Sequence, residues 1–247
     1  MNVKQYLDST YLKTASQAGL SEEENNSVAK KEIEEAIQEG FRLIMIRPEQ
    51  VALAKKMILK ANSNVLVGTV IDFPEGKSDL ELKIKEANEA IENGADDLDF
   101  VCNYQAFKNG DVDLVKKEIL IGTQIGLANN KTVKWIIEVA ALTDKEIIQL
   151  SVLIKNIVLS NFKEEEYASV FVKSSTGFFK TENDLPNGAT IETIIMMLEN
   201  ASPLPVKAAG GVRSYKDAVQ MINLGVKRIG TSSAREIANG ENATNQY

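Results

Sequence analysis

Two lysines and an aspartate stand where the surrounding residues ask for an apolar side chain. The segment ASVFVKSSTG carries Lys173 at the end of a strand-forming run, and PVKAAGGVRS carries Lys207 in the same place. Side chains alternate along a strand, so Ser169, Phe171 and Lys173 share one face while Val170 and Val172 share the other. The two valines suit a face covered by helices, which turns Lys173 the opposite way. By the same alternation Val206 and Ala208 face outward and Lys207 inward. In GADDLDFV, Asp97, Asp99 and Val101 share a face. A lysine attacks a carbonyl carbon only as the neutral amine, and its reference pKa of ~10.4 leaves little of that form at neutral pH. Burial and a neighbouring cation both disfavour the ammonium. One such lysine could equally snorkel to solvent or pair with a carboxylate. Two on neighbouring strands, beside Asp99, point to imine chemistry, with Asp99 moving protons and Asp8 of the LDST segment near it. Asp96 and Asp97 read as a solvated strand start.

Three further segments offer an anion site: SSTG (174–177), GGVRS (210–214) and GTSS (230–233). Backbone N–H groups at tight turns near helix starts bind anions, and Arg213 adds charge. Histidine is absent and the only cysteine is Cys102. Ser-His-Asp triads, Cys-His dyads, histidine or all-cysteine zinc sites, iron–sulfur centres and intrachain disulfides are therefore excluded.

The elements that must position these residues alternate. Strand-like runs lie at Tyr6–Thr10, Phe41–Ile46, Val65–Ile71, Asp97–Val101, Val133–Val139, Ser169–Lys173, Pro205–Ala208 and Arg228–Thr231. From the third to the seventh they start at 65, 97, 133, 169 and 205, which is the length of a strand–helix unit. Amphipathic stretches fill the gaps. One runs from Ser78 to Asn93 and stops at Gly94, and one from Asp111 to Ile125 and stops at Gly126. Thr143 or Asp144 caps the helix through Ile147, Leu150 and Ile154, and Ser214 caps one that Gly225 ends. Eight parallel strands with helical crossovers close into a single-domain (β/α)8 TIM barrel over residues 1–247; a doubly wound open sheet is the rival. Active sites of such barrels sit at the C-terminal strand ends, with phosphate sites after strands seven and eight. The polar segment 238–247 reads as a loose tail.

With 247 residues, 44% apolar and 26% charged, the composition is that of a soluble globular protein. A net charge of −7 disfavours nucleic-acid and anionic-membrane partners. No run approaches a membrane span, and the N-terminus lacks the apolar core of a secretory signal. A reducing cytoplasm is the expected location.

The motifs also resemble a family. VFVKSSTGF, NGAT, VKAAGGVRS and RIGTSS resemble the second half of the deoxyribose-phosphate aldolases. GTVIDFPEG, GADDLDFV and VKWIIEV resemble the first half, and LDST the opening strand, so that the similarity runs from about Tyr6 to Ala234. The resemblance implies reversible cleavage of 2-deoxy-D-ribose 5-phosphate to D-glyceraldehyde 3-phosphate and acetaldehyde. It assigns Lys173 as the Schiff-base lysine, Lys207 as the lysine that tunes it, and Asp99 as the proton relay. It places Asp8 and Thr10 beside the substrate. Gly177, Gly210, Gly211, Arg213, Gly230, Ser232 and Ser233 fall where the family holds the phosphate, and Tyr247 where some relatives fold a tyrosine over the site. It implies no metal, no organic cofactor and a homodimer. Another class I sugar-phosphate aldolase, a transaldolase-like enzyme and a non-catalytic phosphate-binding barrel are the alternatives; two inward lysines argue against the last. The chain departs from the family at Ser9, Met45, Ala140, Ala141 and Phe178. Phe178 stands where a lysine is common, which removes one charge from the phosphate site unless Lys180 reaches in.

Overall fold

Each strand is short and nearly all buried, and each pairs in parallel with its neighbours in sequence. The strands of the computed structural model, which describes residues 1–182 and 185–241, are β1 (Leu7–Tyr11), β2 (Leu43–Ile46), β3 (Leu66–Ile71), β4 (Asp97–Val101), β5 (Thr132–Ile136), β6 (Val170–Lys173), β7 (Val206–Ala209) and β8 (Arg228–Thr231). β8 pairs back onto β1, with Asp8 opposite Gly230, so the sheet closes into a barrel and the open-sheet alternative falls.

The helices are α1 (Ala15–Ala18), α2 (Glu22–Glu39), α3 (Val51–Lys60), α4 (Leu80–Glu92), α5 (Tyr104–Lys108), α6 (Val112–Ala128), α7 (Asp144–Asn161), α8 (Ile191–Ala201), α9 (Tyr215–Leu224) and α10 (Ala234–Ala238). Most of their starts are set by short polar side chains that satisfy free backbone N–H groups; α3, α4 and α10 have no such cap. Thr143 and Glu146 form a reciprocal capping box at α7, and Ser214 accepts from Asp217 N–H at α9. Gly225 ends α9 in the left-handed region, at φ 118. Among the described residues no helix is long and apolar enough to cross a membrane.

Gly126 does not stop α6, which runs on to Ala128. It is there for close packing: a Cβ at Gly126 would stand 2.2 Å from Val133 Cγ2. Nor does the fifth strand reach Val139. It ends at Ile136, and Glu138 turns the chain in the left-handed region at φ 58. The segment 238–247 begins with Ala238 as the last residue of α10, and 242–247 lie outside the described residues.

The main core lies between barrel and helices, where Leu98, Phe100, Val133, Trp135, Val170 and Val172 point outward. Burial of such side chains is worth about 1.5–3 kcal/mol each. The barrel interior divides in two. Leu43, Met45 and Val70 make an apolar cluster on β2 and β3. The rest carries buried charge: Asp8, Asp97, Asp99, Lys134, Lys173, Lys207 and Arg228.

Candidate active site

Strand parity aims these charges at one another. Lys173 and Lys207 are partners in register across β6 and β7, and Asp99 and Lys134 across β4 and β5. Both Lys173 Nζ and Lys207 Nζ donate to Asp99 Oδ2 at 2.9 Å. Lys134 Nζ reaches Asp99 Oδ1 at 2.8 Å and Asp97 Oδ2 at 2.6 Å. Arg228 ties Asp97 to Asp8, through Nη2 at 3.1 Å and Nε at 2.8 Å. Lys207 Nζ closes the loop as an ion pair 2.7 Å from Asp8 Oδ2. Gly230 leaves room for this, since a Cβ there would press on Lys207 Cε at 3.0 Å.

Asp97 is thus no solvated strand start: it is 1% exposed and sits within the network. A carboxylate on the inner face of a closed barrel has no solvent to point to. Asp96, one residue earlier, has the partial exposure expected and pairs with Lys55 at 2.8 Å.

Four cations in this network face three carboxylates, so one positive charge goes uncompensated. The cost falls on the member with fewest anionic partners. Among the described residues Lys173 pairs with Asp99 alone, whereas Lys207 is held by both Asp8 and Asp99. Burial lowers the Lys173 pKa to about 8, Asp99 opposing and Lys207 assisting. Burial acts on Lys207 too, but the two carboxylates outweigh it and its pKa is raised. Burial also works against ionised Asp99, yet Lys134, Lys173 and Lys207 together hold its pKa well below the usual range. Side by side, one lysine is readied to lose its proton and the other to keep it.

Lys173 is also the member of the network that lines the open cleft above. That cleft encloses about 620 Å³, counting space open to solvent, and is walled by Thr10, Thr176, Gly177, Asn187, the turn at Gly210–Arg213, and Gly230 to Ser232. Thr10, Gly177, Gly210, Gly211, Arg213, Gly230 and Ser232 are therefore gathered in one cavity with Lys173. Asp99 and Lys207 lie behind its wall, fully buried. Asp8 and Ser233 are not on the wall: Asp8 is spent on Lys207 and Arg228, and Ser233 is buried with its N–H on Thr231 Oγ1. Lys180 is exposed and does not line the cleft, and Phe178 packs edge-to-face on Phe73 with centroids 5.1 Å apart. Cys102 is buried, and burial pushes its thiol pKa up.

The turn after β6 is fixed from several sides. Ser174 Oγ donates to Ala209 O at 2.8 Å, and Ala189 N–H donates to Ala209 O and Gly210 O. Gly188 allows this approach, because a Cβ there would lie 2.5 Å from Gly210 Cα. Glu138, aimed at the turn by its left-handed backbone, lies 2.7 Å from Ser175 Oγ and accepts from Thr176 Oγ1 and N–H.

Sequence reasoning missed Lys134, Arg228, Glu138 and Asn187. Lys134 interrupts an otherwise apolar VKWII and shares its inward parity with Ile136, which was the available signal.

The sequence profile of the DeoC/LacD family aldolases matches residues 12–240. A deoxyribose-phosphate aldolase of Thermococcus gammatolerans is 38% identical over 241 residues, covering 97% of this chain and 96% of that protein. Among solved structures, one described as QR15, an aldolase, superposes with a TM-score of 0.78 at 32% identity, covering 97% and 95% of the two chains. The deoxyribose phosphate aldolase of Aeropyrum pernix, described as a unique tetrameric structure, gives 0.76 at 27% identity, covering 96% and 89%.

Proposed function

The chain belongs to the DeoC/LacD family of aldolases, and from that premise we propose that it cleaves 2-deoxy-D-ribose 5-phosphate reversibly to D-glyceraldehyde 3-phosphate and acetaldehyde through an imine on Lys173. The observation that carries this reading is the position of Lys173, at the cleft and beside Asp99. It alone of the buried network lines the cleft, and its pKa of about 8 supplies neutral amine near physiological pH.

Lys173 Nζ attacks C1 of the open-chain aldehyde, and loss of water gives the imine, protonated beside Asp99. The C3 hydroxyl gives its proton through solvent to Asp99, which the charged Lys207 holds from behind. The C2–C3 bond breaks, its electron pair moves into the iminium as an enamine, and the three-carbon aldehyde leaves. Protonation at C2 and hydrolysis release acetaldehyde and restore the amine. Because Asp99 is held strongly acidic, any proton it takes is returned readily, as a relay requires.

Thr10, Gly177, Gly210, Gly211, Arg213, Gly230 and Ser232 supply the surface for substrate, with the phosphate on the glycine turns and Arg213 at the rim. Asp8 and Ser233 support that surface from behind. Gly177, Gly210 and Gly211 have φ of 78, 81 and 86, a conformation that lets turn N–H groups face a cavity at little steric cost. Phosphate binding away from the breaking bond contributes orientation. We place the enzyme in the cytoplasm as a homodimer; light scattering separates that from a tetramer like the Aeropyrum pernix relative.

Incubation with 2-deoxy-D-ribose 5-phosphate should release acetaldehyde and glyceraldehyde 3-phosphate in equal amounts. Lys173→Ala should lower kcat by about 10³-fold or more while the chain stays folded. Full activity in that variant would reject the assignment.

A further inference from the structure

Hydrogen-bond accounting around Ser175 leaves one proton unplaced. Ser175 Oγ lies 2.6 Å from the Asn187 carbonyl oxygen, 2.7 Å from Glu138 Oε1 and 2.9 Å from Gly177 N. A hydroxyl has one proton to give and two lone pairs to receive with. The Gly177 N–H fills one lone pair. The Asn187 carbonyl can only accept, so it takes the hydroxyl proton. The contact with Glu138 Oε1 then needs a proton from the glutamate side, because one hydroxyl proton cannot lie along two such short vectors. The other carboxyl oxygen behaves as a carbonyl. Oε2 accepts from Thr176 Oγ1 and from Thr176 N–H at 3.2 Å, while Thr176 Oγ1 itself accepts from Phe178 N–H at 3.0 Å.

We propose that Glu138 is held as a neutral carboxylic acid, a positioning residue that clamps the turn Ser175–Gly177 beside Lys173 without placing a negative charge behind the substrate's anion. The proposal rests on the aldolase reading for what the turn binds. Its charge logic follows from the geometry. Thr176, Gly177 and Asn187 line the cleft, and all three touch Glu138 or the hydroxyl it holds. An ionised carboxylate there would repel a phosphate. It would also supply the missing fourth anion to the lysine network and favour the charged form of Lys173. The groups that bear on Glu138 electrostatically are Lys173 of β6 and Tyr104 of α5, and the donors against it are Ser175 and Thr176. Burial, at 1% exposure, acts in the same direction by raising its pKa, against the hydrogen bonds it accepts and Lys173.

Glu138→Gln tests this, because an amide reproduces the proposed pattern: its N–H replaces the acid proton toward Ser175 and its C=O accepts from Thr176. Infrared difference spectra of carboxyl-labelled protein at pH 7, parent minus Glu138→Gln, should contain the carbonyl stretch of a protonated acid. The variant should keep kcat and KM for the sugar phosphate within about threefold, less than one net hydrogen bond, and the rise of kcat/KM through the Lys173 pKa should stay in place. A carboxylate band in that difference spectrum would overturn the proposal, as would a shift of the Lys173 limb to lower pH in Glu138→Gln, since that means a charge has been removed. Glu138→Ala should loosen the turn and raise KM more than it lowers kcat; a parent-like KM would remove the clamp. The infrared measurement needs no turnover. It therefore separates failure here from failure of the aldolase reading, which imine trapping on Lys173 decides independently.

Discussion

Lys173 and Lys207 have the same side chain and share a carboxylate oxygen, yet their proton affinities shift in opposite directions. The difference is Asp8, which serves Lys207 and leaves Lys173 with half the compensation. Since imine formation needs the amine, kcat/KM should rise with pH up to about 8 and then level. Replacing Lys207 with Met removes the neighbouring cation and leaves Asp99 to fewer partners. Both changes favour charged Lys173, so the rise should move to higher pH by about one unit or more. A profile that stays in place would mean that Lys207 does not tune Lys173. This pair and Asp99 were legible in the sequence because each puts a charge on the inward face of an otherwise apolar run, Lys173 at the very end of its strand. Lys134 and Arg228 were not, because a charge near a strand's start is ordinarily read as solvated. Only a closed barrel turns those positions toward one another.

At the scale of elements, α6 lies so close to β5 that two glycines of the helix face its side chains. A Cβ at Gly122 would come within 2.8 Å of the Trp135 ring, and one at Gly126 within 2.2 Å of Val133. Alanine in a helix gains about 0.5–1 kcal/mol over glycine, but overpacking a core costs about 1–3 kcal/mol. The clash at Gly126 is with a short, buried, β-branched side chain that cannot swing away. Gly126→Ala should therefore lower Tm by several degrees, and through Val133 it should disturb the register that holds Lys134. An unchanged or higher Tm would show that helix and strand can part freely. The period of the strand–helix units was readable from 65 to 205, and caps such as Thr143 and Ser214 were readable from residue type. The role of Gly126 was not. A glycine that packs and one that ends a helix look alike until the partner strand is known.

For the whole molecule, the inner charges tie β1, β4, β5, β6, β7 and β8 together across the barrel. Asp8 and Asp99 have folded pKa values below their ordinary 3.8, despite burial, because of the cations around them. Their contribution to stability is present above that value and is lost as pH falls through the lower folded values. Glu32 behaves oppositely. Burial, with Glu35 and Glu236 near it, raises its pKa to about 7, so the folded state gains protons, and stability, as pH drops from 7 toward 4.5. Glu86, Glu118 and Glu138 are raised in the same direction, burial first in each case. Calorimetric Tm should therefore climb from pH 7 to about 5 and fall below about 4. A monotonic fall on acidification would contradict these assignments.

The central claim is a covalent bond between one named lysine and an aldehyde, and it can be caught directly. The protein would be incubated with acetaldehyde, reduced with borohydride, digested and mapped by mass spectrometry. The account predicts an ethyl group on Lys173, absent from Lys173→Ala, with Lys134 and Lys207 unmodified behind the cleft wall. A folded protein that takes up no label under conditions that mark a known aldolase, or that takes it up on Lys207 instead, would contradict it.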